Sequence, residues 1–355
     1  MTASPQTATA SLATFRLPAE WEPQAAILIA WPHAGTDWAE RLEGVESTYV
    51  ALAAAVTRFE PLIVVVADTR LREQATARMR DAGVDLSRIR FVELPYDDTW
   101  LRDSGPITLV DADNKVLLND FRFTGWGGKF GAEQDDALIA GLVSEGVFGN
   151  AGHKRIDWAL EGGGIESDGE GTVLTTWRCL VQRHPDQSRE AMSEVLATNL
   201  HAGRILWLDY GYLEGDDTDA HIDTLARFAP GERIVFQACD DPSDPHYDEL
   251  GRMDRELAAL RTKDGRPYQL YPLPWAEPIL DDGRRLAASY ANYLIVNGAV
   301  LVPAYGDKAD EEAAHVIGAA HPGRIVVQVP CRPLIWQNGS LHCITMQLPA
   351  ATLAD

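Results

Sequence analysis

Pro106-Ile107-Thr108-Leu109-Val110, Asp111-Ala112-Asp113-Asn114 and Lys115-Val116-Leu117-Leu118-Asn119-Asp120 follow one another without a break. Two short apolar, β-branched runs flank a polar Asp/Asn connection, the pattern of a β-hairpin. A hairpin needs antiparallel strands, whereas simple parallel alternation puts one helix after every strand. Other strand-like runs lie at 25–31, 61–67, 88–94, 172–176, 233–238, 293–303 and 324–330. Apolar spacing of three and four predicts helices near 43–58, 69–82, 134–147, 188–200, 247–261 and 309–320. After the first, the helix starts are about 55 to 65 residues apart, with several strand-like runs between them. The expectation is a mixed α/β chain built from a repeated β-rich unit carrying one helix, with a conventional α+β domain as the alternative. No Pro/Ser-rich linker divides the sequence, so 15–355 reads as a single domain and 1–14 as a flexible tail.

The 355 residues carry 53 acidic and 31 basic side chains, a formal charge of −22. Nucleic acid and anionic membranes attract surplus Lys and Arg, so this balance argues against both as partners and favours cationic ligands. At 46% hydrophobic and 24% charged the composition is that of a globular protein with an ample core. The opening residues have neither Lys nor Arg and no long apolar run, unlike a signal or transit peptide. Four scattered cysteines, Cys179, Cys239, Cys331 and Cys343, form no CxxC and suit reduced thiols in a cytoplasmic protein.

Four segments carry candidate chemistry. Asp97-Asp98-Thr99-Trp100-Leu101-Arg102-Asp103 lies between strand-like runs, and its carboxylates beside Trp100 suit a planar cation held at its edge and stacked on its face. A turn in which Asp caps backbone amides would account for it equally. From Asp209 to Asp223 there are six acids and no Lys or Arg. If His221-Ile222-Asp223 is extended, His221 and Asp223 share one strand face and form a base beside a carboxylate. An acidic surface loop is the simpler alternative. Cys343 follows the Gly339-Ser340 turn at the head of an alternating apolar segment, where a thiol can serve as nucleophile. The other three cysteines fit better as small buried hydrophobes. In Glu161-Gly162-Gly163-Gly164, glycines permit close backbone approach or positive φ, and Glu161 could orient a histidine. Gly125-Trp126-Gly127-Gly128 is similar in kind; neither is a nucleotide-binding fingerprint.

Together these segments resemble the agmatine deiminase branch of the guanidine-modifying pentein superfamily, with its bacterial peptidylarginine deiminases. Matching pieces run in order from Leu17-Pro18-Ala19-Glu20-Trp21-Glu22-Pro23 and Ala30-Trp31-Pro32-His33 to Leu341-His342-Cys343-Ile344-Thr345. The resemblance implies a five-bladed α/β propeller of ββαβ-type units with pseudo-fivefold symmetry around a polar channel. It implies that Cys343 attacks the guanidinium carbon, that His221 is the general acid/base, that Asp103 and Asp223 grip the guanidinium nitrogens, and that Glu161 positions His221. Trp100, Asp97, Asp217 and Trp126 are expected to contact the substrate. The implied reaction converts agmatine into N-carbamoylputrescine and ammonia, in polyamine biosynthesis, with no cofactor and no metal. The partner is then a small cationic guanidine, and a homo-oligomer stays open.

The sequence departs from the family pattern at Asn338-Gly339-Ser340, where a glycine run is usual, at Ala220, usually Gly, and at Asp217, often Glu. Three other readings remain: deimination of free or peptidyl arginine, a metal-dependent hydrolase using Asp97, Asp98, Asp217, His221 and Asp223, and a silent polyamine binder.

Overall fold

The computed structural model describes residues 15–353. The expected tail at 1–14 lies outside the described residues.

The hairpin that opens the sequence argument forms as expected: Ile107–Val110 pairs antiparallel with Val116–Arg122, which then pairs parallel with Gly152–Ala159. Helix Glu133–Ser144 makes the crossover between the two parallel strands. The same order recurs three times. Ile165–Ser167, Thr172–Thr176 and Arg204–Leu208 form one sheet, Ala226–Ala229, Arg233–Gln237 and Gln269–Leu273 another, and Leu294–Val296, Ala299–Ala304 and Ile325–Pro330 a third. Their crossovers run through Arg189–Leu200, Tyr247–Ala259 and Asp310–Ala320. In the first sheet the C-terminal strand Met346–Pro349 pairs antiparallel with Gln24–Ala30, followed in parallel by Leu62–Val66 and Ile89–Glu93. Both ends of the described chain therefore share one sheet. A small ribbon, Leu280–Asp281 with Arg284–Arg285, stands apart.

Helices form where sequence chemistry marks their starts. Asp68 accepts a hydrogen bond from the Leu71 amide and Ser188 from the Ala191 amide, each satisfying an otherwise orphaned donor. The run at 293–303 proves to be a hairpin rather than one strand, because Asn297-Gly298 turns the chain with Gly298 at φ +75°. Five-residue strands at Arg204–Leu208 and Gln269–Leu273 are missing from the sequence reading, and three further strands lack a readable period. Ile165–Ser167 and Ala226–Ala229 have three and four residues, and Gly152–Ala159 exposes its first four residues on an edge.

Apolar faces of sheets and helices bury Ile27, Val64, Leu301 and Ile317 in one continuous cluster. Inside this apolar shell sits a charged hub. Arg227, fully buried, donates to Glu20 at 2.6 Å, to Glu166 at 2.7 Å and to the Tyr293 carbonyl at 2.8 Å. Its strand belongs to one sheet, Glu166 to the preceding one, and Tyr293 adjoins the following one, so a single guanidinium ties neighbouring units. Burial pushes Glu166 up to about 7 against the pull of Arg227. Arg227→Met would remove the hydrogen-bonded cation of buried Glu166 and leave buried Glu20 with only His342 and Arg102. We expect it to lower the unfolding free energy by about 3–5 kcal/mol, read from urea unfolding, whereas a loss below about 1 kcal/mol would mean that the hub carries little of the fold.

Candidate active site

Cys343 lies in the turn before Met346–Pro349, 3% exposed. The turn is held from behind by Asn292, whose Oδ1 accepts the His342 amide at 2.9 Å and the Cys343 amide at 3.3 Å, while its Nδ2 donates to Cys343 Sγ at 3.2 Å. The other contact of the sulfur is with Asp223 Oδ2, at 3.7 Å.

His221 and Asp223 are not on a strand as the sequence suggested. Residues 222–224 form a single 3-10 turn with His221 as its N-terminal cap. The tight turn still brings both side chains to one place. Gly163 marks that place: a Cβ there would stand 2.6 Å from His221 Nδ1, 2.8 Å from Asp103 Oδ1 and 3.2 Å from Asp223 Oδ2. Only glycine permits so close an approach, and of the two uses foreseen for this glycine run it is close approach that operates at 163. The Gly163 amide donates to Asp103 Oδ1 at 3.1 Å, and Trp126 Nε1 donates to Asp103 Oδ2 at 2.9 Å. His221 is flanked by Asp103 at 3.6 Å from Nδ1 and by Glu161 at 3.6 Å from Nε2. Neither ring nitrogen has a hydrogen-bond partner, and neither do Glu161 Oε2 and Asp223 Oδ1, all buried. Unfilled buried polar atoms are costly, and here they gather at one point.

The electrostatics follow from burial and crowding. Burial, with Asp223 and Asp103 nearby, pushes the Cys343 thiol well above its ordinary value. Burial opposes a charged imidazole at His221, but Asp103, Cys179 and Glu161 outweigh it and raise His221. Burial raises Asp103 to about 6, with His221 offsetting part of the effect and Asp223 and Glu161 adding to it. Burial also works against charge on Glu161, yet His221 and Arg183 hold that carboxyl down at about 2. Burial likewise opposes charge on Asp223, and His342 outweighs it and lowers Asp223. Both shifts favour the proton-bearing form, a thiol at Cys343 and an imidazolium at His221.

A cavity of about 440 Å³ leads to this cluster, with Cys343 and Asp103 in its wall. Trp100, Trp126, Asp97 and Asp217 line it too, whereas His221, Asp223 and Glu161 are completely buried residues behind it. All nine side chains singled out in the sequence therefore meet at one site. Gly339 lies against Trp100, since a Cβ would come within 2.1 Å of the ring. Asn338, at φ +69°, reaches across and donates to Asp217 Oδ2 at 2.5 Å, and its own oxygen is held by Arg284. Two of the three departures from the family pattern, Asn338 and Asp217, are thus bonded to each other. Asp97 accepts from Gln134, and Asp98 accepts from the Trp100 indole at 3.2 Å. Burial raises Asp98 to about 7.

The proposed metal set does not assemble, because Asp97, Asp98 and Asp217 turn to these other donors. Among the described residues, the one metal-like group is Glu161, Cys179 and His221, with ligand atoms within 4.8 Å of one another. Arg183 donates to Glu161 at 2.8 Å, and a fixed guanidinium opposes a dication there. Cys179, read from sequence as a plain hydrophobe, is buried as expected but stands beside His221. Cys239 is only partly buried. Sequence reasoning gave no role to Asn292, Arg183, Glu20 or His342. Glu20 and His342 lie inside motifs quoted above, whereas nothing local marks Asn292.

Comparison with known proteins agrees with this geometry. The family model of the Porphyromonas-type peptidyl-arginine deiminases matches residues 16–349. An agmatine deiminase of Stutzerimonas stutzeri is 35% identical over 361 residues, covering 95% of this chain and 96% of that protein. A Porphyromonas gingivalis structure, of a protein to which arginine deiminase activity is ascribed, is 44% identical with a TM-score of 0.88, covering 96% of this chain and 100% of that one. The structure of a cysteine-to-serine variant of Campylobacter jejuni agmatine deiminase with substrate bound is 32% identical, with a TM-score of 0.87 and 98% coverage of both chains. The chain belongs to the Porphyromonas-type peptidyl-arginine deiminase family.

Proposed function

We propose that this chain is an agmatine deiminase, a hydrolase that converts agmatine into N-carbamoylputrescine and ammonia in the formation of putrescine and other polyamines. The observation that carries this reading is the pair of buried carboxylates at the thiol: Asp223 Oδ2 lies 3.7 Å from Cys343 Sγ, its Oδ1 is buried with no hydrogen-bond partner, and Asp103 lines the same cavity as Cys343. A planar cation with several N–H donors satisfies such acceptors, and a neutral ligand would leave the carboxylates uncompensated. The agmatine deiminases among its relatives support the same substrate. Four sheets of one strand order, and a fifth that contains this order plus one further parallel strand, support a five-bladed propeller of pseudo-fivefold symmetry, with 15–355 as a single catalytic domain. No helix of the described residues is long and apolar enough to cross a membrane, which accords with a cytoplasmic enzyme.

Asp103 and Asp223 hold the guanidinium so that its carbon faces Cys343 Sγ, replacing a bimolecular encounter with fixed geometry. The entering cation offsets the two carboxylates, and the thiol proton is released as it binds. Sulfur adds to the carbon, His221 gives a proton to the departing nitrogen, and ammonia leaves. Water, deprotonated by the now neutral His221, attacks the amidino-thioether, and the ureido product leaves as the thiolate reforms. Glu161, itself tied to Arg183, keeps the ring oriented and its charge compensated. Trp126 holds Asp103, and Trp100, Asp97 and Asp217 meet the alkyl chain and distal amine. Arg284 in the same wall favours a second reading, deimination of free arginine, whose carboxylate it could meet.

Ammonia release from agmatine, arginine and a peptidyl arginine decides between these. We expect agmatine to be turned over by the parent and not by Cys343→Ser; turnover of none by the parent would remove the assignment. A small alkylating agent should modify Cys343 faster when a non-reacting guanidinium is bound without blocking the sulfur. Thiolate absorbance that stays equal or falls on binding would contradict the charge compensation. Protons and substrate compete for Asp103, so lowering the pH through about 6 should lower kcat/KM for agmatine. A profile flat between about pH 5 and pH 8 would exclude Asp103 from substrate binding.

A further inference from the structure

His342 directly precedes Cys343 in sequence, yet its ring points away from the sulfur into the charged hub. Nδ1 lies 2.7 Å from Asp223 Oδ2, and Nε2 lies 2.7 Å from Glu20 Oε2. All three side chains are almost completely buried. With a carboxylate oxygen at each ring nitrogen, both hydrogen bonds are made when the ring carries both N–H groups. Glu20 is anchored in turn: Oε2 accepts from Arg227 at 2.6 Å and Oε1 from the Ile295 amide at 2.7 Å. An unbroken chain of hydrogen bonds therefore runs from Arg227 through Glu20 and His342 to Asp223.

The chain ends at a choice between two oxygens. Asp223 Oδ2 is taken by His342 and lies 3.7 Å from Cys343 Sγ, while Oδ1 is buried with no partner. A carboxylate free to rotate about its terminal torsion would present either oxygen, because that torsion is broad. The ring removes this freedom and leaves one acceptor open. The backbone of the same residue is also pinned, since the His342 amide donates to Asn292 Oδ1, which holds the Cys343 amide as well. The ring is thus met by Glu20 and Asp223, while Asn292 holds the backbone of the turn and Arg102 Nε lies 3.4 Å from the His342 carbonyl.

We propose that His342 is a positioning residue, clamped between Glu20 and Asp223 so that the Asp223 carboxylate is held in one orientation beside Cys343 Sγ to receive the guanidinium. It touches neither substrate nor reacting atoms and acts through Asp223 and the cysteine turn. Glu20, 322 residues away in sequence, is the far half of the clamp. This inference rests on guanidine binding at the site proposed above.

The test uses the full chain carrying His342→Leu or His342→Asn, and guanidinium ion as the probe. Leu removes the donor to Asp223, whereas the Asn amide can reproduce the Nδ1–H donor. The dissociation constant is read from the effect of guanidinium on Cys343 alkylation, and kcat and KM are measured with agmatine. His342→Leu should weaken guanidinium binding on the order of 10- to 100-fold and raise KM alongside a fall in kcat, with His342→Asn recovering most of the binding. A purely structural role would reduce the amount of folded protein while leaving both constants of the folded fraction unchanged. If His342→Leu fails to fold, His342→Ala supplies the donor-free comparison: binding weakened about tenfold or more relative to a near-parental His342→Asn supports the inference, and equal binding by His342→Ala and His342→Asn overturns it. Equal binding by parent and both variants also overturns it. Failure of guanidinium to bind the parent would instead strike the functional reading itself, and the positioning role with it.

Discussion

The Arg227 guanidinium, with no exposed surface, is the interaction on which both fold and site depend. Five sheets with apolar faces could pack on one another without any charge at their centre. The interior instead holds Arg227 between Glu20 and Glu166, with Arg102 and His342 beside them. Buried ion pairs contribute little net stability over apolar packing, and their value is greater as fixed geometry. Here the geometry is used: Arg227 holds Glu20, Glu20 holds His342, and His342 holds the carboxylate nearest the thiol. Burial would raise the Glu20 carboxyl, but Arg227 and His342 outweigh it and hold Glu20 well below the ordinary carboxylate range.

The site concentrates negative charge. Asp223 lies 3.7 Å from the raised Cys343 thiol, Asp103 and Glu161 each lie 3.6 Å from the raised His221 imidazole, and Asp223 Oδ1 and Glu161 Oε2 have no hydrogen-bond partner. In the mechanism we propose, this preorganised anionic site takes up a cation with little rearrangement and activates the sulfur in the same act. The distal end is less uniform. Asp217 is already engaged by Asn338, and Asn338 by Arg284, so this rim presents a hydrogen-bonded set rather than a free carboxylate. The family departures at 217 and 338 are one feature, in which a shorter acid is met by a longer neighbour.

Much of this was legible in the sequence where local chemistry is strong. The Ile107–Val110 and Val116–Arg122 hairpin follows from its β-branched runs and Asp/Asn turn, and the helix at 189–200 from its apolar spacing. Three- and four-residue strands are set by tertiary pairing and carry no period to read. At the site, Cys343, His221 and the carboxylates were recognisable as residue types in motifs. The extended geometry inferred for His221-Ile222-Asp223 was not what brought them together, because a 3-10 turn against Gly163 does it instead. Asn292 could not have been found at all, since its role comes from lying 51 residues from Cys343 in sequence and 3.2 Å from its sulfur in space.

The central claim is that Cys343 becomes covalently bonded to the guanidine carbon during turnover. Acid quenching the parent enzyme during steady-state turnover of agmatine, followed by peptide mass mapping, tests it most directly. The account predicts an amidino adduct on the Cys343 peptide and none on the peptide bearing Cys179, although that thiol also adjoins His221. Turnover with Cys343 unmodified, or with the adduct on Cys179, would contradict it.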